Sequence, residues 1–283
     1  MSLPAGNIPG MSPVETRYLP RGDERLALRV HPAGGGRTAV LLPAMGVPAA
    51  YYDAFAARLT DGGLDVVVAD LRGTGASTPQ PTRASRYGYS ELVDDVAAVL
   101  SALRAEAPLL IGHSLGGHAA ALHLALGGSG AGLALVASGT PWNRFYPGRY
   151  GVGLRAVTPV ITGLSAGLGY WPGHRLGFGG RQSTGVMRDW AYVVRTGDFP
   201  PLAGVDVDAR LADVKVPVYA ASVEGDRLTP PVTLDHFVAK FAGTTVERHH
   251  YTAAESGAPM NHFRWTRAAT PLADRLLAFE RTL

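Results

Sequence analysis

Apolar and polar positions alternate along this chain in two distinct rhythms. Short β-branched or apolar runs at 38–42, 65–69, 109–111 and 132–137 have the length and continuity of strands buried on both faces. Two further short strands are expected at 14–19 and 25–30, joined by a turn at Gly22-Asp23. Between the runs, helical spacing takes over. Tyr52, Phe55 and Leu59 share one face of 49–59, and Asp61-Gly62-Gly63 ends that segment. In 90–105 the apolar face is Leu92, Val96, Val99 and Leu103, with Ser90 as the candidate cap and Glu91, Asp94 and Asp95 near the positive helix end. A small-residue helix is expected over 119–126. This β-α alternation predicts a mostly parallel sheet with helices on both faces.

The rhythm breaks over 141–207, which is rich in Gly, Pro and aromatic residues. It resumes with a strand at 216–223, a helix at 231–241, a strand at 244–251 and an amphipathic helix at 264–279 that Pro271 makes irregular. The expected organisation is a core of 1–140 and 208–283 with a helical lid insertion at 141–207. Within the insertion, 151–169 is weakly polar but contains Arg155 and Pro159, so a surface lid helix is expected rather than a membrane span.

Composition narrows the function classes. The chain has 283 residues, 46% hydrophobic and 17% charged, enough for a large core and too apolar for a disordered chain. Its net charge is only +3 and its arginines are scattered singly, so no nucleic-acid partner is expected. There is no cysteine, which excludes disulfides, thiol nucleophiles and Cys-type metal sites. No signal peptide is read in residues 1–11, and a cytoplasmic setting is expected. No cofactor or metal is called for, because no His and carboxylate cluster has ligand spacing.

The chemistry centres on Gly112-His113-Ser114-Leu115-Gly116-Gly117, placed between an apolar strand and a small-residue helix. A serine at such a strand-to-helix turn is held with its hydroxyl exposed for attack, and the flanking glycines let neighbouring backbone pass close. A serine hydroxyl is a weak nucleophile and needs a base, which a third group orients. In this context the acid follows a late strand and the histidine precedes the last helix. Asp226 lies just beyond 216–223 and is the preferred acid, with Glu224 in reserve. His262 precedes the last helix and is the preferred base. His249 and His250 fall within a strand, His113 and His118 flank the serine in structural roles, and His31, His123, His174 and His236 lack supporting context. Negative charge developing on the substrate requires two backbone N–H donors. Leu115 is one candidate and Met45 the other, with Ala44 as alternative. Trp142, directly after a core strand, is the candidate substrate-binding aromatic. The Asp70-Leu71-Arg72-Gly73-Thr74-Gly75 turn lacks the spacing and lysine of a P-loop and is expected to be structural.

With these residues in place, the chain resembles the α/β-hydrolase fold superfamily over nearly its whole length. The resemblance rests on the elbow at 112–116, Asp226, His262 and the Asp-x-Arg-Gly-x-Gly-x-Ser turn at 70–77. More narrowly, Pro43-Ala44-Met45-Gly46-Val47, Tyr51-Tyr52 and Asn261-His262-Phe263 look like bacterial predicted hydrolases near the serine-aminopeptidase-like and lysophospholipase-like branch. The chain departs from many relatives at Pro43-Ala44, where they carry His-Gly. The resemblance implies an α/β fold with a mostly parallel eight-stranded sheet and a lid. It also implies a serine hydrolase acting on an ester or related acyl bond of a small molecule with an apolar part. An acyltransferase using the same triad and a non-catalytic small-molecule binding protein are the alternatives.

Overall fold

Two short antiparallel strands open the described chain. The computed structural model describes residues 14–105 and 107–283, so the reading of residues 1–11 lies outside it. Strands β1 (Glu15–Arg21) and β2 (Glu24–His31) pair across the Gly22 turn, where φ is +64°. Then follow β3 (Thr38–Leu42), α1 (Asp53–Asp61), β4 (Asp65–Asp70), α2 (Tyr89–Leu103), β5 (Leu109–His113), α3 (Leu115–Ala125) and β6 (Gly132–Val136). The next segment holds α4 (Gly148–Leu168), β7 (Tyr170–Pro172), α5 (Gly173–Leu176), β8 (Arg181–Ser183), α6 (Thr184–Thr196) and α7 (Val207–Arg210). The chain closes with β9 (Val218–Val223), α8 (Pro231–Val238), β10 (Val246–Tyr251), α9 (Ala253–Ser256) and α10 (Thr270–Glu280).

Eight strands form one sheet in the order β1-β2-β4-β3-β5-β6-β9-β10, parallel from β4 to β10 and antiparallel at β2. Side chains alternate across it. Val40, Leu42, Leu110, Leu133 and Ala220 pack with α2, α3 and α8 on one face. Ala39, Leu41, Leu109, Ile111 and Ala221 pack with α1 and α10 on the other. Strands covered on both sides account for the unbroken apolar runs in the sequence.

Helix α3 is buried all round, because it runs across the centre of the sheet beneath other helices. Its small residues permit that approach. A β-carbon at Gly116 would sit 2.0 Å from the Leu42 carbonyl oxygen, and one at Gly112 would sit 2.2 Å from the Gly117 α-carbon.

Local expectations are corrected at two helix ends. Ser90 does not cap α2. Gly88 is the residue before the helix, its N–H donating to the Glu91 carboxylate at 2.6 Å, while the Tyr89 N–H donates to Asp189 of α6 at 2.9 Å. The final amphipathic segment is two pieces, a 3-10 turn Arg264–Ala268 and then α10, with Pro271 in its first turn. Proline lacks the N–H that a helix interior needs but fits the first turn, so it separates the two. The aromatic-rich stretch contributes, besides its helices, the small antiparallel pair β7 and β8.

Candidate active site

Ser114 sits between β5 and α3 with φ +53° and ψ −119°. A non-glycine residue in that region is strained, and the strain is sustained by the packing around the elbow. The Ser114 N–H donates to the Val136 carbonyl at 3.2 Å. Its own carbonyl accepts from Gly117 N–H at 3.0 Å and from the Ser138 hydroxyl at 2.7 Å. Both backbone groups are therefore engaged, and the side chain is left to the cavity that it helps line.

Asp226 and His262 come together from two loops. The carboxylate follows β9, and one oxygen, Oδ1, accepts the N–H groups of Leu228 at 2.8 Å and Thr229 at 2.9 Å. The other, Oδ2, lies 2.7 Å from His262 Nδ1 and accepts the Thr229 hydroxyl at 2.6 Å. Both side chains are buried. A carboxylate that only accepts fixes the proton on Nδ1, so the lone pair of His262 lies on Nε2. His262 and Ser114 line the same cavity. No direct hydrogen bond joins the two side chains among the described residues.

The reserve acid Glu224 is used elsewhere, its carboxylate accepting the Ala253 N–H at 2.6 Å. His249 pairs with Glu255 at 2.9 Å and His250 lies 2.9 Å from the Ser222 hydroxyl, both away from the cavity. His113 packs beside His262, ring centres 4.9 Å apart. Burial, and then the neighbouring imidazole, hold the His113 pKa well below the usual histidine range. It stays neutral and places no second positive charge against a protonated His262.

The loop after β3 separates the two amide alternatives. The Ala44 N–H donates to the Tyr52 hydroxyl oxygen at 3.0 Å, and that oxygen lies 2.7 Å from His113 Nδ1. The Ala44 amide is thus occupied. Met45 N–H has no acceptor among the described residues, and Leu115 N–H belongs to the first turn of α3, where no intrahelical acceptor exists. The tip of the loop meets the inserted segment backbone to backbone, since a β-carbon on Gly46 would lie 2.6 Å from the Gly179 carbonyl oxygen.

The cavity has a volume of about 450 Å³. Ser114, His118, Thr229 and His262 form its polar end. Leu154, Val157, Ile161, Trp171, Phe178 and Trp190 supply apolar wall from the inserted segment. Trp142 is a correction, because it does not line this cavity. Its ring packs on Phe145 and His236, with the Arg144 guanidinium 4.9 Å above it. The chain turns onto α8 immediately after β6, which carries the indole away from Ser114. Tyr146 lines the cavity instead, its hydroxyl donating to the Leu228 carbonyl.

Thr229 is a site residue the sequence reading did not single out. It stands three residues after Asp226, in a turn whose N–H groups bond back to that carboxylate, a local signature of Asp in loops. The Asp70–Ser77 turn is structural. Asp70 accepts the N–H groups of Ala49 and Ala76, and Arg72 is held by the buried Asp95 carboxylate.

Residues 37–166 match the family model described as serine aminopeptidase, S33. Similar solved structures include a thioesterase domain from the curacin biosynthetic pathway, 17% identical with TM-score 0.64, covering 94% of this chain and 100% of that one. A hydrolase from Pseudomonas aeruginosa PA01 is 23% identical with TM-score 0.62, covering 93% and 97%. An enol-lactonase from Burkholderia xenovorans LB400 is 16% identical with TM-score 0.63, covering 94% and 100%. At these identities the likeness speaks for the fold. Together with the sheet order and the elbow, it gives this chain the α/β-hydrolase fold, and residues 37–166 are similar to the serine aminopeptidase family.

Proposed function

We propose that this chain hydrolyses a carboxylic ester or related acyl bond through an acyl-enzyme on Ser114. The observation that carries the reading is the buried Asp226–His262 pair at 2.7 Å, whose His262 lines one cavity with a serine in a strained strand-to-helix turn. In this mechanism His262 Nε2 takes the Ser114 proton as Oγ attacks the acyl carbon. Asp226 holds the imidazole in the required tautomer and stabilises the imidazolium. The amides of Leu115 and Met45 donate to the developing oxyanion. Collapse of the tetrahedral intermediate breaks the acyl bond, and the leaving group takes the proton from His262. Water, deprotonated by the same imidazole, then attacks the acyl-serine and frees the acid. The apolar walls favour a substrate with an aliphatic or aromatic portion.

A fluorophosphonate probe tests the nucleophile. Wild type is expected to be labelled and Ser114→Ala to be silent; equal labelling of both would remove Ser114 from the reaction. Turnover of aryl esters by a folded His262→Ala variant is expected to fall about 10³-fold or more.

A further inference from the structure

The inserted segment presents an unusual outer surface. Helix α4 runs for 21 residues and is long and apolar enough, by length and composition, to cross a membrane. It is nevertheless docked on the protein by the narrow stripe Gly151, Thr158, Ile161 and Ser165. The opposite face is open. Val152 is 70% exposed and Val160 62% exposed, and Val157, Leu164 and Leu168 are exposed with them. Val157, Val160, Leu164 and Leu168 recur at helical spacing, so they form a continuous strip. Leu176 in α5, 55% exposed, adds to the apolar surface of the same segment. Soluble monomers rarely expose so many large apolar side chains together.

Charge indicates what covers this face. Residues 141–187 contain Arg144, Arg149, Arg155, Arg175 and Arg181 and no Asp or Glu, while Arg188 just beyond them pairs with Asp189. Arg149 and Arg155 lie on α4 itself, and Arg175 precedes Leu176; all three are exposed. An apolar strip with arginines and no acid complements a surface that is apolar inside and anionic outside. A second copy of the chain fits less well, because a two-fold contact would set this acid-free face against itself. The cavity meets the same surface, since Tyr150 and Leu176 line it and are also exposed.

We propose that the exposed face of α4, with the α5 tip, is a docking surface for an anionic lipid bilayer, on which the protein lies peripherally with its cavity mouth at the edge of the contact. Flotation with vesicles of phosphatidylcholine alone or mixed with phosphatidylglycerol tests this without reference to catalysis. The wild-type protein is expected to float with the mixed vesicles, less so as salt rises, and far less with phosphatidylcholine alone. Val160 and Leu164 do not line the cavity, and the double variant V160D/L164D is expected to lose binding by about tenfold or more with an unchanged thermal midpoint. R149Q/R155Q is expected to bind mixed vesicles more weakly. The proposal is overturned if wild type floats with neither vesicle, if both vesicles bind it equally, or if V160D/L164D binds like wild type. It is overturned too if sedimentation shows a dimer that V160D/L164D abolishes while the wild type ignores vesicles.

Discussion

A β-carbon on Gly116 would meet the Leu42 carbonyl oxygen at 2.0 Å, and neither backbone can yield without moving β3 or α3. Gly116→Ala is therefore expected to destabilise the protein by about 2 kcal/mol or more, as overpacked core sites do, read from chemical denaturation. Stability equal to wild type would show that the elbow has slack that this packing denies. Single residues differ in how much of their role is visible in sequence. The turn that holds Ser114 and the approach of Asp226 to His262 are legible because their positions relative to a strand end or a final helix are constrained by chain order. Ala44 and Met45 are not separable that way, since only the folded loop shows that Tyr52 takes the Ala44 N–H. Trp142 misleads for the same reason. An aromatic after a core strand reaches the cavity only if the chain continues over it, and here it turns onto His236.

At the scale of elements, periodicity identifies the strands and helices of the core because each has one consistent buried environment. It fails where partners come from far along the chain. Nothing near Gly88 in sequence reveals that the first turn of α2 is satisfied by Asp189, 100 residues away. The three-residue strands β7 and β8 carry too few side chains to show alternation. Asp189→Ala should cost about 1 kcal/mol or more, because it removes a buried acceptor from a helix N-terminus. Asp189→Asn, which keeps an acceptor oxygen, should recover part of that loss. Denaturation midpoints of the two variants check this, and an Asp189→Ala protein as stable as wild type would refute it.

Over the whole molecule, buried histidines make stability depend on pH. Burial lowers the His118 pKa from 6.5 to about 4. The unfolded chain therefore binds this proton at a higher pH than the folded one. The stability linked to His118 is fully present above pH 6.5 and is lost as pH falls through the folded value of about 4. Linkage puts the loss at about 3 kcal/mol over that window, and the lowered pKa of buried His113 acts in the same direction. Unfolding free energies measured from pH 7 to 4 should fall steeply for wild type and less steeply for His118→Asn. Parallel slopes would show that His118 does not carry the dependence. The Asp189 contact has another consequence at this scale. The carboxylate that finishes a core helix belongs to the inserted segment, so the two are not interchangeable parts. A chimera that exchanged residues 141–207 for another segment would inherit an open helix end unless the new segment brought its own acceptor to Tyr89. Point changes along the cavity wall thus leave the core helix intact, while wholesale exchange of residues 141–207 removes a contact on which that helix depends.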